Sequence, residues 1–176
     1  MHIGEYIKYR RKVLGYTQQQ LADRLSISKQ AVHKWEKCFS VPDIMTLPEL
    51  GFILKKSPHF LTEIIWRANY EGTLTHFLFL TVTESNGDSY IIKAYEANDF
   101  SVVADLFEKI LTRKDETILK NLSDFYHSDH SRTFQIKLEE YERLALEDSD
   151  IGGFLIESRD ITPIITNYYL ESKTEK

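Results

Sequence analysis

A chain of 176 residues, 42% hydrophobic and 28% charged, has the composition of a globular protein, which excludes wholesale disorder. The single cysteine, Cys38, excludes an internal disulfide. No apolar run reaches the roughly 18 residues of a membrane span, and the N-terminal MHIGEYIKYRRK lacks the apolar stretch of a signal peptide, so a soluble cytoplasmic protein with no membrane partner is expected.

The net charge of −5 hides an asymmetry. Residues 1–66 carry ten Lys and Arg against six Asp and Glu, or +4, whereas residues 67–176 carry twelve against twenty-one, or −9. The front half is therefore the half suited to meet phosphate.

The front half, 1–66, predicts five helices. Ile3, Ile7 and Leu14 recur at helical spacing until Gly15 stops the first helix. Thr17, with Gln20 three residues on, makes a capping box for a second helix with Leu21, Ala22 and Leu25 inward. After the tight connection Ser26-Ile27, Ser28 caps a third helix, 28–37, that turns Val32 and Trp35 inward. Thr46-Leu-Pro-Glu-Leu50 opens a fourth helix with Pro48 in its first turn, and Ser57-Pro58 opens a fifth through Ile65.

The texture changes over 67–74, read as a linker. Residues 75–176 predict an α+β domain on a small, mostly antiparallel sheet, serving dimerisation, sensing or partner binding. Strands are expected at 75–83 and 89–95, joined by the hairpin signal Asn86-Gly87, then at 133–138 and at Phe154-Leu-Ile156 after Gly152 and Gly153. Helices are expected at 100–111, with Val102, Val103, Leu106, Phe107, Ile110 and Leu111 on one side, at 118–125, and at Glu139–Leu146. Phe77, Phe79, Tyr90, Tyr95, Phe100, Phe107, Phe125, Phe134, Phe154, Tyr168 and Tyr169 are expected to form the second core, a subset of them available to line a ligand pocket.

The stretch that carries chemistry is TQQQLADRLSISKQAVHKW, residues 17–35. Two short helices joined by a tight turn must share a buried face, here Leu21, Ala22, Leu25, Ile27, Val32 and Trp35. The outward residues of the third helix are then Lys29, Gln30, His33 and Lys34, near the end that enters a DNA major groove in a helix-turn-helix. Gln bonds bidentately to adenine, Lys donates to guanine, and the methyl of Ala31 suits a thymine methyl. Gln18 begins the second helix, where backbone N–H groups and the positive dipole end face a phosphate.

In this stretch, and in IGEYIKYRRKVLGYTQQQLADRL, SISKQAVHKWEK and TLPELGFIL around it, the sequence resembles the Xre/Cro-type family of bacterial and phage repressors. The resemblance runs from about Ile3 to Ile65. It implies DNA contacts from Gln18, Lys29, Gln30, His33 and Lys34, and a structural ion pair between Arg11 and Glu36; Thr17, Ser28, Ala31, Lys37 and Ser40 are expected to join the contacts. Two departures stand out. Ser26 occupies a turn position usually held by glycine, which costs about 1–2 kcal/mol if its φ is positive. The loop Cys38-Phe39-Ser40-Val41 lacks the basic residues of many relatives, leaving Phe39 to pack on a partner subunit.

Other motifs carry less. Gly87-Asp88-Ser89 resembles the serine site of self-cleaving repressors, but Tyr90 replaces the expected methionine and the tripeptide reads as a hairpin turn. His127-Ser-Asp-His130 lacks a third metal ligand with clear spacing. No paired carboxylates, nucleophile constellation or phosphate loop mark an enzyme, and no cofactor or metal is expected.

The expectation is a two-domain, sequence-specific regulator of transcription, a repressor, bound to double-stranded DNA as a homodimer. A protein partner or small-molecule effector is expected to act at the C-terminal domain. The alternative is a protein-binding inhibitor of the antitoxin or anti-defence type that autoregulates its promoter through the same helices.

Overall fold

The computed structural model describes residues 1–67, 73–143 and 153–174, which divide into two compact units, Met1–Gly72 and Thr73–Lys176.

The first unit consists of α1 (Ile3–Val13), α2 (Gln18–Arg24), α3 (Lys29–Glu36), a short 3-10 turn (Ile44–Thr46), α4 (Leu47–Leu54) and α5 (Pro58–Arg67). Each start has a local cause. His2 Nδ1 accepts from the Gly4 N–H while Glu5 reaches back to the His2 N–H, a reciprocal cap that composition alone did not advertise. Thr17 and Gln20 form the expected capping box, and Ser28 Oγ accepts from the Ala31 N–H. Ile3, Tyr6, Ile7, Leu21, Val32, Leu50, Leu54, Leu61 and Ile64 are fully or almost fully buried and make the core. The helix crossing is close at Gly4: a Cβ there would lie 1.8 Å from the Trp35 carbonyl oxygen, so no other residue fits between α1 and α3. Arg10, buried on α1, donates from Nε to the carbonyl oxygen of Leu54 at 2.9 Å and satisfies the end of α4. Ser26 has φ +54°, so the serine at the turn does carry the strain that glycine would relieve.

The second unit contains β1 (Thr73–Thr83), β2 (Ser89–Ala97), α6 (Phe100–Leu111), α7 (Glu116–Ser128), β3 (Thr133–Arg143), β4 (Phe154–Asp160) and α8 (Thr162–Thr174). The four strands run antiparallel in the order β2-β1-β3-β4. Of the residues read as a linker, Arg67 ends α5 while Thr73 and Leu74 open β1, and 68–72 lie outside the described residues. Gly87 turns the β1–β2 hairpin with φ +90°, and Ser89 Oγ lies 2.6 Å from Thr83 Oγ1 across the ladder, so a pairing of strands accounts for the Gly-Asp-Ser tripeptide.

Even-numbered residues of the central strands, among them Leu78, Leu80 and Val82 on β1 and Phe134, Ile136 and Leu138 on β3, point to one face and are buried. Phe100, Val103, Phe107 and Ile110 of α6 and Ile165 of α8 complete this core. At its end His76 Nε2 lies 2.9 Å from Glu140 Oε2, both residues buried and directly opposite in the register, with the His76 ring edge-on to Phe100.

Three expectations for this half need correction. Glu139–Leu146 is not a helix at its start: residues 139–143 continue β3 against β1, and 144–146 lie outside the described residues. Val102 is exposed, because α6 turns Phe100 and Ala104 inward in its place. Only Phe100, Phe107 and Phe134 of the aromatic set are buried. Tyr90 is exposed, and the rest are half-buried because they lie at the sheet margins, on its other face, or on the helices' outer sides. The residues after Asp160, for which the sequence reading gives no element, form α8: Asp160 Oδ1 accepts from the Thr162 N–H and Pro163 stands in the first turn, while the Thr162 hydroxyl accepts from the Phe134 N–H of β3.

Candidate nucleic-acid interface

The α2–turn–α3 segment is built by burying one side of each helix. Leu21 and Ala22 of α2 and Val32 and Trp35 of α3 are buried, which forces the opposite side of α3 outward. On that side Lys29, His33 and Lys37 follow one another at four-residue spacing, beside Gln30 and Lys34 at the same spacing. All five are exposed, and no hydrogen bond or ion pair to another described residue engages their side chains. Three cations, an amide and an imidazole therefore form one continuous strip with its donors unspent.

The other expected contact residues are placed differently. Ala31 is half-buried at the edge of the strip, and Ser40 is exposed in the loop after α3. The hydroxyls of Thr17 and Ser28 already accept the helix-capping bonds. Gln18 is half-buried, and its amide donates to Glu36 Oε2 at 2.8 Å. Glu36, 8% exposed, also receives Arg11, from Nε to Oε1 at 2.5 Å and from Nη2 to Oε2 at 2.9 Å. Arg11 spends its remaining arm on the Tyr16 carbonyl oxygen at 2.7 Å. The expected Arg11–Glu36 pair is thus present, and it has a third member that binds α1, α2 and α3 into one body.

Sequence reasoning missed that Gln18 belongs to this cluster, since Glu36 was read as partner to Arg11 alone. It also missed Arg10, although the spacing Ile3, Ile7, Arg10 puts that residue on the buried face of α1. Cys38, at φ +60°, follows α3, and partial burial together with the nearby charge of Glu5 pushes its thiol above the ordinary value, away from reactivity.

Residues 7–50 match the family model described as Helix-turn-helix, in agreement with the two-helix geometry. Over 59 residues the chain is 44% identical to the HTH-type transcriptional regulator DicA of Escherichia coli (strain K12), covering 34% of this chain and 44% of that protein. Over 58 residues it is 43% identical to YonR of Bacillus subtilis (strain 168), an uncharacterized HTH-type transcriptional regulator derived from the SPbeta prophage, covering 33% of this chain and 54% of that protein. The matched segment thus spans about half the length of these curated relatives. Among solved structures, the P22 c2 repressor in complex with a synthetic operator is 33% identical over 35% of this chain and 92% of its own, with a TM-score of 0.34. The family match at residues 7–50 makes the first unit a helix-turn-helix domain of the Xre/Cro type.

Proposed function

We propose that the chain is a sequence-specific regulator of transcription that represses by binding double-stranded DNA, with α3 lying in the major groove. The observation that carries this reading is the strip of unspent donors at Lys29, Gln30, His33, Lys34 and Lys37 on a helix whose other side is locked into the core. Gln30 and Lys34 read base edges, Ala31 meets a thymine methyl, Lys29 and Lys37 add charge toward the backbone, and the His33 ring adds a hydrogen-bonding group beside them. Thr17, Gln18, Ser28 and Ser40 flank the strip and contact phosphate in this reading.

One recognition helix reads only a few base pairs, so the protein acts as a homodimer with two α3 helices about 34 Å apart on one DNA face. Exposed apolar side chains support self-association: Phe39 at 77%, Ile44 at 72%, Met45 at 83% and Phe52 at 85% exposure all fall within residues 39–52.

The test is fluorescence anisotropy on the DNA upstream of the protein's own reading frame, across a salt series, with Gln30→Ala/Lys34→Ala beside the wild type. Tight, salt-dependent binding that the double substitution abolishes is the expected result. Binding no tighter than to random DNA, and indifferent to the substitution, overturns recognition of that site through α3.

A further inference from the structure

The second unit has a cavity on the helix-covered side of its sheet. Its volume is about 820 Å³, within the range of small-molecule sites. It lies between β1–β2 and α7 and has an apolar lining of Leu80, Ile92, Ile118, Leu122 and Phe125. The space has a structural cause. α6 and α8 pack on the sheet, whereas α7 packs chiefly on α8 and leaves room along its length, from Thr117 to Ser128.

The β1–β2 ladder is also irregular at this point. Leu80 pairs with Lys93 and Thr81 with Ile91, so Ile92 is an extra residue in β2. In a regular strand Ile92 and Lys93 would face opposite ways. The bulge lets both line the cavity, one apolar and one cationic, and bulges are a recurrent means of re-aiming a side chain into a site.

The charged side chains of the wall are two cations, Lys93 and Arg132, and one carboxylate, Asp124, set among neutral polar groups. Arg132 is held at three points: Nε donates to Glu84 Oε2 at 2.8 Å, and Nη1 donates to the Phe125 carbonyl oxygen at 3.1 Å and to Ser128 Oγ at 2.5 Å. Glu84 is itself held by the Tyr90 hydroxyl at 2.7 Å. This leaves Nη2 of a fixed guanidinium without a partner among the described residues. Lys93 Nζ, 5.7 Å from the Tyr95 ring centre, makes no ion pair to a described residue. The one carboxylate in the lining, Asp124, is shared with a smaller adjoining cavity walled by Lys120 and Lys173.

We infer that this cavity binds a small amphipathic carboxylate, its aliphatic or aromatic body against Leu80, Ile92, Ile118, Leu122 and Phe125 and its carboxylate held by Lys93 and Arg132. A fixed guanidinium and a mobile ammonium suit a planar anion, and the apolar lining disfavours a fully hydrophilic one. The binding site stands by itself. Its meaning as the effector site of a regulator rests on the DNA-binding reading above.

The test is isothermal titration calorimetry of the full chain with decanoate and with the uncharged decanol, on the wild type, Lys93→Glu and Asn121→Trp. Asn121 is exposed on α7 and lines the cavity, so a tryptophan there fills the space without touching the core. Saturable decanoate binding is expected, weakened about tenfold or more by Lys93→Glu and abolished by Asn121→Trp, with decanol far weaker. Absence of saturable binding at millimolar decanoate overturns the inference. So does binding that both variants retain, or decanol binding as tight as decanoate. Anisotropy on the same samples separates the two readings: a wild type that takes decanoate through this cavity but binds no DNA leaves the site standing and removes the regulator.

Discussion

The side-chain amide of Gln18 and the guanidinium of Arg11 both donate to the single carboxylate of Glu36, at 2.8 Å and at 2.5–2.9 Å, so one buried anion fixes three helices. Removing one partner of a buried pair leaves the other uncompensated, which typically costs about 3 kcal/mol or more, whereas replacing both with apolar residues is often near neutral. Glu36→Ala is therefore expected to lower the stability of the first unit by about 3 kcal/mol. The double variant Arg11→Met/Glu36→Leu is expected to regain most of that loss. Urea unfolding followed by tryptophan fluorescence, in a Trp66→Phe background so that buried Trp35 is the reporter, checks both, and a Glu36→Ala protein as stable as the wild type refutes the linchpin role.

Gly4 gives a sharper steric test. The Cβ of Gly4→Ala meets the Trp35 carbonyl oxygen at 1.8 Å, a backbone atom that moves only if α3 moves. The expected loss is about 2–3 kcal/mol, at the upper end of overpacking costs, read as a lowered melting temperature. Gly15→Ala is no control for it, since Gly15 has φ +75° and would add backbone strain. Exposed Ser40→Ala is the appropriate neutral companion.

Acid should weaken the second unit through a defined set of carboxylates. Hydrogen bonds from Arg132 and Tyr90 hold the Glu84 carboxyl below its ordinary value, Arg113 does the same for Glu171, and Ser101 and Ser131 do so for Asp99 and Asp129. A carboxylate depressed in the folded state contributes stability that is complete above its unfolded value and is lost as pH falls through its folded value. The melting temperature should hold steady at neutral pH and then decline as pH drops past the ordinary carboxylate range. Glu84→Gln should show a shallower acid decline than the wild type, and an identical profile would remove Glu84 from the account.

The strip on α3 separates charge from reading. Lys37→Ala should reduce the salt slope of DNA binding by about 0.9, with similar weakening on every sequence. Gln30→Ala should leave the slope unchanged while costing about 1–3 kcal/mol on the preferred site alone. Anisotropy on a specific and a scrambled duplex distinguishes them, and matching behaviour of the two variants would count against base reading by Gln30.

The first unit was readable because its determinants are local. Caps at Thr17 and Ser28, prolines at 48 and 58, and apolar spacing along α2 and α3 each act within a few residues. The bond from Gln18 to Glu36 was not, because it needs α2 and α3 already crossed. In the second unit, EEYER has the composition of a helix, yet it is a strand because β1 supplies its partner and buries Glu140 against His76. Long-range pairing overrides local preference there. The cavity was equally hidden, since it depends on a one-residue slip between two strands. α8 does have a local signal, Pro163 in its first turn behind an Asp160 whose side chain accepts from the Thr162 N–H.

The pairing of β1 with β3 has a bearing on how the molecule comes into being. It joins Thr83 to Thr133 and Thr73 to Arg143, residues fifty to seventy positions apart, across the centre of the sheet. Helical units with mostly local contacts fold in about microseconds to milliseconds, whereas distant strand pairings take about milliseconds to seconds. On the ribosome the helix-turn-helix can be complete while β1 still waits for β3 to be made. Through that interval the aromatic strand HFLFL, residues 76–80, has only its hairpin neighbour for cover, which makes it the stretch where slow synthesis or heat is most apt to drive aggregation.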